Sequence, residues 1–167
     1  MRYGLRIPSF ALGPRTAKLD AMGEYLRRAE SLGFDSAVTI DHLLLTPPAY
    51  ACTWLEAMTT LAALAGVTRT IKLGTMVLVL PLRNPVYFAK EWATLDVLSG
   101  GRTILGLGVG WHEEEFALMN VPYRERGPRS LYGTPISSNS SSCQPTPMPR
   151  IERPPDNRSS VAHSLAK

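Results

Sequence analysis

Two cysteines are all that these 167 residues contain, Cys52 and Cys143, far apart and outside any CxxC or metal-ligand spacing. That disfavours a disulfide framework and points to a reducing, cytoplasmic setting. No apolar stretch of signal-peptide length precedes Arg15, and the longest apolar run, around Met76 to Leu82, is far too short to cross a bilayer, so no membrane partner is expected. A GxSxG elbow, a P-loop lysine and a Cys–His nucleophile pattern are all missing. His112-Glu113 does not continue to a second histidine, because Phe116 stands where the motif requires one; the zincin reading fails and no metal is expected. An excess of one charge is missing too. Up to Gly127 there are 13 basic and 12 acidic residues, whereas the last forty residues hold 5 and 2. The sequence pI of 9.3 therefore describes the C-terminal segment, and no nucleic-acid partner is implied.

Composition divides the chain at the same place. Residues 128–167 hold 7 of the 14 prolines, nine serines and one aromatic, Tyr132. We expect one globular domain over 1–127, followed by an irregular, disordered Pro/Ser-rich tail over 128–167.

Within the first segment a strand and a helix alternate. Tyr3–Ile7 has a strand pattern, and Pro8 to Pro14 a loop. A helix opening at Thr16 places Leu19, Met22, Leu26 and Ala29 on one face and stops at Gly33. The strand Phe34–Ile40 ends on Asp41-His42, and a Pro47-Pro48 loop follows. Thr53 to Glu56 has the form of a capping box. The helix it starts carries Leu55, Met58, Leu61, Ala62 and Ala65 and stops at Gly66. Ile71–Leu80 is apolar throughout, as in a strand covered on both faces. Asn84-Pro85 pairs an N-cap with a first-turn proline, and the helix runs through Phe88, Trp92, Leu95 and Leu98 to Gly100-Gly101. A fourth strand, Thr103–Leu107, leads into Gly108 to His112. Trp54, Met58 and Trp92 fall in helical apolar patterns and are expected in the core. A unit repeating about every 33 residues implies a parallel α/β sheet with right-handed crossovers, either doubly wound or part of a barrel. A full barrel of eight such units would need about 250 residues or more, and only about half of them are present.

Chemistry in such folds collects at the C-terminal ends of strands. That rule selects Asp41-His42, the region from Thr75 to Arg83, and Gly108 to Glu115. An imidazole at His42 can hydrogen-bond a reducible cofactor or move a proton near neutral pH, or be a loop histidine held by Asp41. Gly106, Gly108 and Gly110 give GxGxG but not GxGxxG, since Trp111 fills the last position. Glu113, Glu114 and Glu115 then follow, and three carboxylates would repel a phosphate at a helix start. Close approach of backbone to a flat ligand or to packing neighbours accounts for the glycines better. One of the three glutamates could carry a proton if partly buried.

LRIPSF, RRAESLGFDSAVTIDH, IKLGTMVLVLPLRNPV, LDVLSGGRTILGLGVGWHEEEF and VPYRERG, in that order over residues 1–129, resemble the luciferase-like monooxygenase superfamily, and most closely its deazaflavin (coenzyme F-420) oxidoreductases. The resemblance implies the N-terminal half of a (β/α)8 TIM barrel, with four parallel strands and three helices, and FMN or reduced F-420 bound at the strand ends. It implies His42 beside the reactive ring, with Asp41 adjoining it. Thr75, Met76 and Val77 would form a bulge behind the ring, with a cis bond at Met76-Val77. Gly108, Gly110 and Trp111 would border the ring, and Glu113 would donate a proton. The implied reaction is hydride transfer to, or oxygen insertion into, a small organic substrate. After RERG the chain departs from the family. A truncated or frameshifted reading frame with impaired activity is expected, as are open first and fourth strands through which a homodimer or aggregate would form. Val77, Val79 and Leu105 are expected on the uncovered inner face. A non-catalytic, self-associating or partner-binding α/β fragment is the alternative, and a small nucleotide-binding domain a lesser one.

Overall fold

The computed structural model describes residues 1–11, 17–45 and 52–133. Four parallel strands form its centre: β1 (Gly4–Arg6), β3 (Ser36–Thr39), β5 (Lys72–Thr75) and β7 (Thr103–Ile104), side by side in that order. Leu5 lies opposite Ala37 and Ala37 opposite Leu73. Side chains alternate across a strand. These three therefore point at the crossover helices α1 (Leu19–Ser31), α2 (Ala57–Val67) and α3 (Pro85–Ser99). The core lies between, where Ile7, Leu26, Leu61, Leu64, Ile71 and Leu73 are almost fully buried and Phe88, Trp92, Met58 and Leu95 close around them. The architecture is the expected α/β arc of successive βα units.

The helix boundaries follow local chemistry more closely than the apolar pattern did. Asn84 caps α3 as expected, its Oδ1 accepting the Val86 and Tyr87 amides at 3.1 Å each, with Pro85 next in line. Gly100 ends that helix in the left-handed region at φ 73°, a conformation that costs most side chains free energy. The cap of α2 differs from the expected box. Thr53–Trp54 is a short strand, β4, paired antiparallel with β2 (Phe10–Ala11), so Thr53 is committed elsewhere. Glu56 is itself the N-cap, accepting from the Met58 amide at 3.0 Å and the Thr59 amide at 2.6 Å. Nor does Gly66 stop α2: the helix continues to Val67, and the Thr68 hydroxyl donates to the Leu64 carbonyl at 2.8 Å. Leu98 is 73% exposed rather than packed, because the buried face of α3 passes through Phe88, Trp92 and Leu95. Thr16 and Pro47-Pro48 lie outside the described residues.

The expected continuous strand from Ile71 to Leu80 is interrupted. β5 ends at Thr75, a cis bond joins Met76 to Val77, and β6 (Leu78–Val79) resumes in parallel with β8 (Leu107–Gly108). The chain then makes a 3-10 turn over Leu80–Leu82 before α3. Two of the three residues expected on an uncovered inner face are covered. Val79 is buried on the cleft side because the Gly110 segment packs over it, and Leu105 packs against the core; Val77 is 40% exposed. Arg6, Val38, Gly74 and Ile104 form one row of the opposite face.

Beyond β8 come α4 (Glu113–Leu118), a 3-10 turn at Tyr123–Glu125 and α5 (Arg126–Gly133). The expected boundary after residue 127 falls inside α5, so the chain read as irregular from 128 is helical at its start. Pro128 is tolerated because first-turn amides have no partner within a helix. Residues 134–167, with Cys143 and most of the expected tail, lie outside the described residues. Among the described residues no helix is long and apolar enough to cross a membrane.

Two charged side chains tie the elements together at the N-terminal ends of the strands. Glu30 Oε1 accepts the amides of Arg69, Thr70 and Ile71 at 2.7, 2.6 and 2.9 Å. Burial pushes this carboxyl up, but the Ile71, Thr70 and Arg69 amides outweigh that and hold it below the usual range. Arg102 reaches the carbonyls of Ser99, Ile71 and Ala65 at 2.7, 2.8 and 3.0 Å, fastening the ends of α2 and α3 to β5.

Candidate functional site

At the opposite, C-terminal ends of the strands lies a cleft of about 360 Å³, lined by Ile40, Asp41, His42, Met76, Val77, Val79, Gly108, Val109, Gly110, Trp111 and Glu115. Residues as far apart in sequence as Ile40 and Glu115 meet here because parallel strands end on one side. Seven residues selected from the sequence share this cleft: Asp41, His42, Met76, Val77, Gly108, Gly110 and Trp111. Thr75 stands behind it rather than in it. It is 2% exposed, and its hydroxyl joins β5 to the next strand by donating to the Gly106 carbonyl at 2.9 Å.

Asp41 is a structural anchor at the cleft wall. Its Oδ2 accepts the Val79 amide at 2.9 Å, fixing the chain just after the cis bond, and its Oδ1 accepts from Arg83 at 2.8 Å. Arg83 also donates to Glu56 at 2.9 Å. Burial would lower the Arg83 pKa, but the Asp41 and Glu56 carboxylates reverse that and raise it. Glu56 is likewise pushed up by burial, yet held below its ordinary value by the Thr59 and Met58 amides and by Arg83.

His42 is held by a residue that the sequence reading had not singled out. Its Nδ1 donates to Glu115 Oε1 at 3.0 Å, and the same oxygen accepts the Leu43 and Leu44 amides at 2.8 and 3.2 Å. With side chains 9% and 2% exposed, the pair is largely withdrawn from water. Glu113, the expected proton donor, is exposed and does not line the cleft. Residues two apart on a helix face roughly 200° apart, so Glu113 and Glu115 cannot serve the same side. The usable signal was the neighbour: Phe116 is fully buried, which turns this part of α4 inward.

Aromatic rings frame the histidine. Trp111, 55% exposed, stands edge-on to His42 with centroids 5.8 Å apart, and Trp54 lies behind at 6.3 Å. Trp54 is buried as expected, though in β4 rather than a helix. The glycines serve packing neighbours. A Cβ on Gly108 would stand 2.2 Å from Val77 Cγ2, and one on Gly106 2.3 Å from the Thr75 carbonyl oxygen. Backbone thus lies flush against the interrupted strand, and Met76 and Val77 turn outward, 61% and 40% exposed, as an apolar cleft wall. A flat ring can lie against Val77 and Met76 with Trp111 and His42 at its edge. The donor set and the apolar wall fit an aromatic redox group.

A sequence model described as luciferase-like monooxygenase matches residues 1–131. The F420-dependent glucose-6-phosphate dehydrogenase of Amycolatopsis mediterranei is 34% identical over 131 residues, covering 75% of this chain and 36% of that protein. The coenzyme F420-dependent tetrahydromethanopterin reductase of Methanopyrus kandleri superposes with a TM-score of 0.55 at 30% identity, over 72% of this chain and 30% of the other. The oxygenating constituent of 3,6-diketocamphane monooxygenase from Pseudomonas putida, solved in complex with FMN, gives a TM-score of 0.64 at 24% identity, over 79% and 38%. The chain thus spans about a third of the length of such proteins.

Proposed function

Because the chain belongs to the luciferase-like monooxygenase family, we propose that its strand-end cleft binds the ring of a deazaflavin or flavin, reduced F-420 or FMN, and serves oxidoreduction of a small organic substrate in the cytoplasm. The observation that carries this reading is the convergence of His42, Met76, Val77 and Trp111 on one cleft at the C-terminal end of a parallel sheet. The bound group would supply hydride transfer or oxygen activation. The chain's own residues orient and shield it. Met76 and Val77 give the ring an apolar support, Trp111 covers an edge, and Gly108 and Gly110 let the backbone lie close against Val77, Val79 and Phe116 so that this wall holds its shape. His42 offers an imidazole at the cleft wall, with Glu115 fixing its orientation and tautomer. Since Glu113 is exposed away from the cleft, movement of a proton falls to the His42–Glu115 pair in this proposal. β1 and β7, with one neighbour each in the sheet, also support self-association of the chain through its open edges.

Titration of the whole chain with FMN and with reduced F-420, followed by fluorescence, tests the proposal. At least one should bind saturably, and Trp111→Ala should weaken it by about tenfold. Binding of neither to a sample with a cooperative melt would refute the reading, and sedimentation of the same sample reports whether it self-associates.

A further inference from the structure

His42 and Glu115 serve the redox reading, which leaves a third donor beside them, His112, without a role. Besides His42 and Glu115, His112 turns inward at the start of α4, and one ligand atom from each of the three lies within 4.8 Å of the others. Glu115 Oε1 is 3.0 Å from His42 Nδ1 and 3.6 Å from His112 Nδ1. Two donors each about 2.1 Å from one ion stand roughly 3.0 Å apart at a right angle and roughly 3.6 Å apart at 120°. Both separations from Glu115 Oε1 are those of ligands sharing a metal.

Two further observations favour a ligand over an ordinary packing cluster. His112 Nδ1 is buried and has no hydrogen-bond partner among the described residues, a state that a buried polar atom seldom adopts without a use. The Glu115 carboxylate is already oriented by the Leu43 and Leu44 amides, the kind of outer support that metal-bound carboxylates have. Two imidazole nitrogens and one carboxylate oxygen select zinc, cobalt or nickel over calcium and magnesium, which prefer all-oxygen sites.

We propose that His42, His112 and Glu115 form a binding site for a divalent transition-metal ion of the zinc class. The ion takes the place of the His42 Nδ1 proton, which leaves to bulk water. Three protein ligands leave a fourth coordination position open, as in zinc sites that bind a small molecule. The inference does not depend on cofactor binding and is tested without cofactor.

The whole chain, stripped with a chelator, is titrated with Co²⁺ by visible absorption and then with Zn²⁺ by competition. One equivalent should bind, and His112→Gln should weaken binding at least tenfold. His163→Gln, which alters the remaining histidine, should leave it unchanged. Imidazole NMR of the unaltered chain covers the case in which His112→Gln does not fold. Two of the three histidine ring systems should respond to Zn²⁺ together at one equivalent. No saturable binding, a response confined to His163, or undiminished affinity in folded His112→Gln would overturn the proposal.

Discussion

Gly108→Ala isolates the contact on which the cleft wall rests. The added Cβ would lie 2.2 Å from Val77 Cγ2 and 3.2 Å from Val77 Cβ, where carbon atoms ordinarily sit about 3.5–4.0 Å apart. Backbone pairing of β6 with β8 holds Gly108 and the residue next to Val77 in place, so the valine must turn toward the cleft or the strands must part. Overpacking of this kind costs about 1–3 kcal/mol. In a chain of this size each kcal/mol lowers Tm by roughly 2–4 °C, so a fall of roughly 2–12 °C is expected by circular dichroism. Val77→Ala alone removes two methyl groups from a partly exposed side chain and should cost below about 1 kcal/mol. The double variant should regain most of the loss, because Cγ2 is the atom in the way. A coupling of at least about 1 kcal/mol in that cycle is the expected result. Strictly additive costs would show that Gly108 is required for some reason other than Val77, and the account of the glycine segment would fall with it.

Asp41→Asn should destabilise the chain by about 2–3 kcal/mol in urea unfolding. It leaves a half-buried Arg83 with Glu56 alone and weakens the hold on the Val79 amide; an effect within 0.5 kcal/mol would refute the anchoring role. Glu30→Gln keeps an acceptor for three amides but loses the charge, which should cost about 1–2 kcal/mol at neutral pH. The Glu30 carboxyl is held low in the folded state. Its contribution is therefore full above the unfolded value of about 4.3 and is lost as pH falls through the lower folded value. The stability gap between the two proteins should close under acid, and a gap independent of pH would contradict this.

Much of the fold was legible because the signals were local or periodic. Asn84-Pro85 and Gly100 mark the ends of α3 through the chemistry of a few adjacent atoms, and Leu26, Leu61 and Leu73 mark buried faces by spacing. The sites of error are those where a distant partner decided. Thr53 looks like a cap until Phe10–Ala11 pairs with it, and the run from Ile71 to Leu80 looks unbroken until the neighbouring glycine segment takes up Val77. Glu115 was hidden among three adjacent glutamates, since only the burial of Phe116 tells which way that short helix faces. A two-histidine helical motif is the wrong template for His112, whose neighbours are Glu114 and Glu115 of its own helix and the ring of His42, seventy residues earlier. Single-chain patterns report what a residue does to its own backbone, and long-range donors such as Arg102 leave no such trace.

Arg102 and Glu30 have a consequence for how this scaffold can change. Apart from one threonine hydroxyl each, both spend their hydrogen bonds on main-chain groups, which persist whatever side chains the partner residues carry. The foundation is thereby insulated from the identity of its neighbours, while Met76 and Trp111 project into open space at the far rim. Selection can revise those two for a new guest with little risk of toppling the support below.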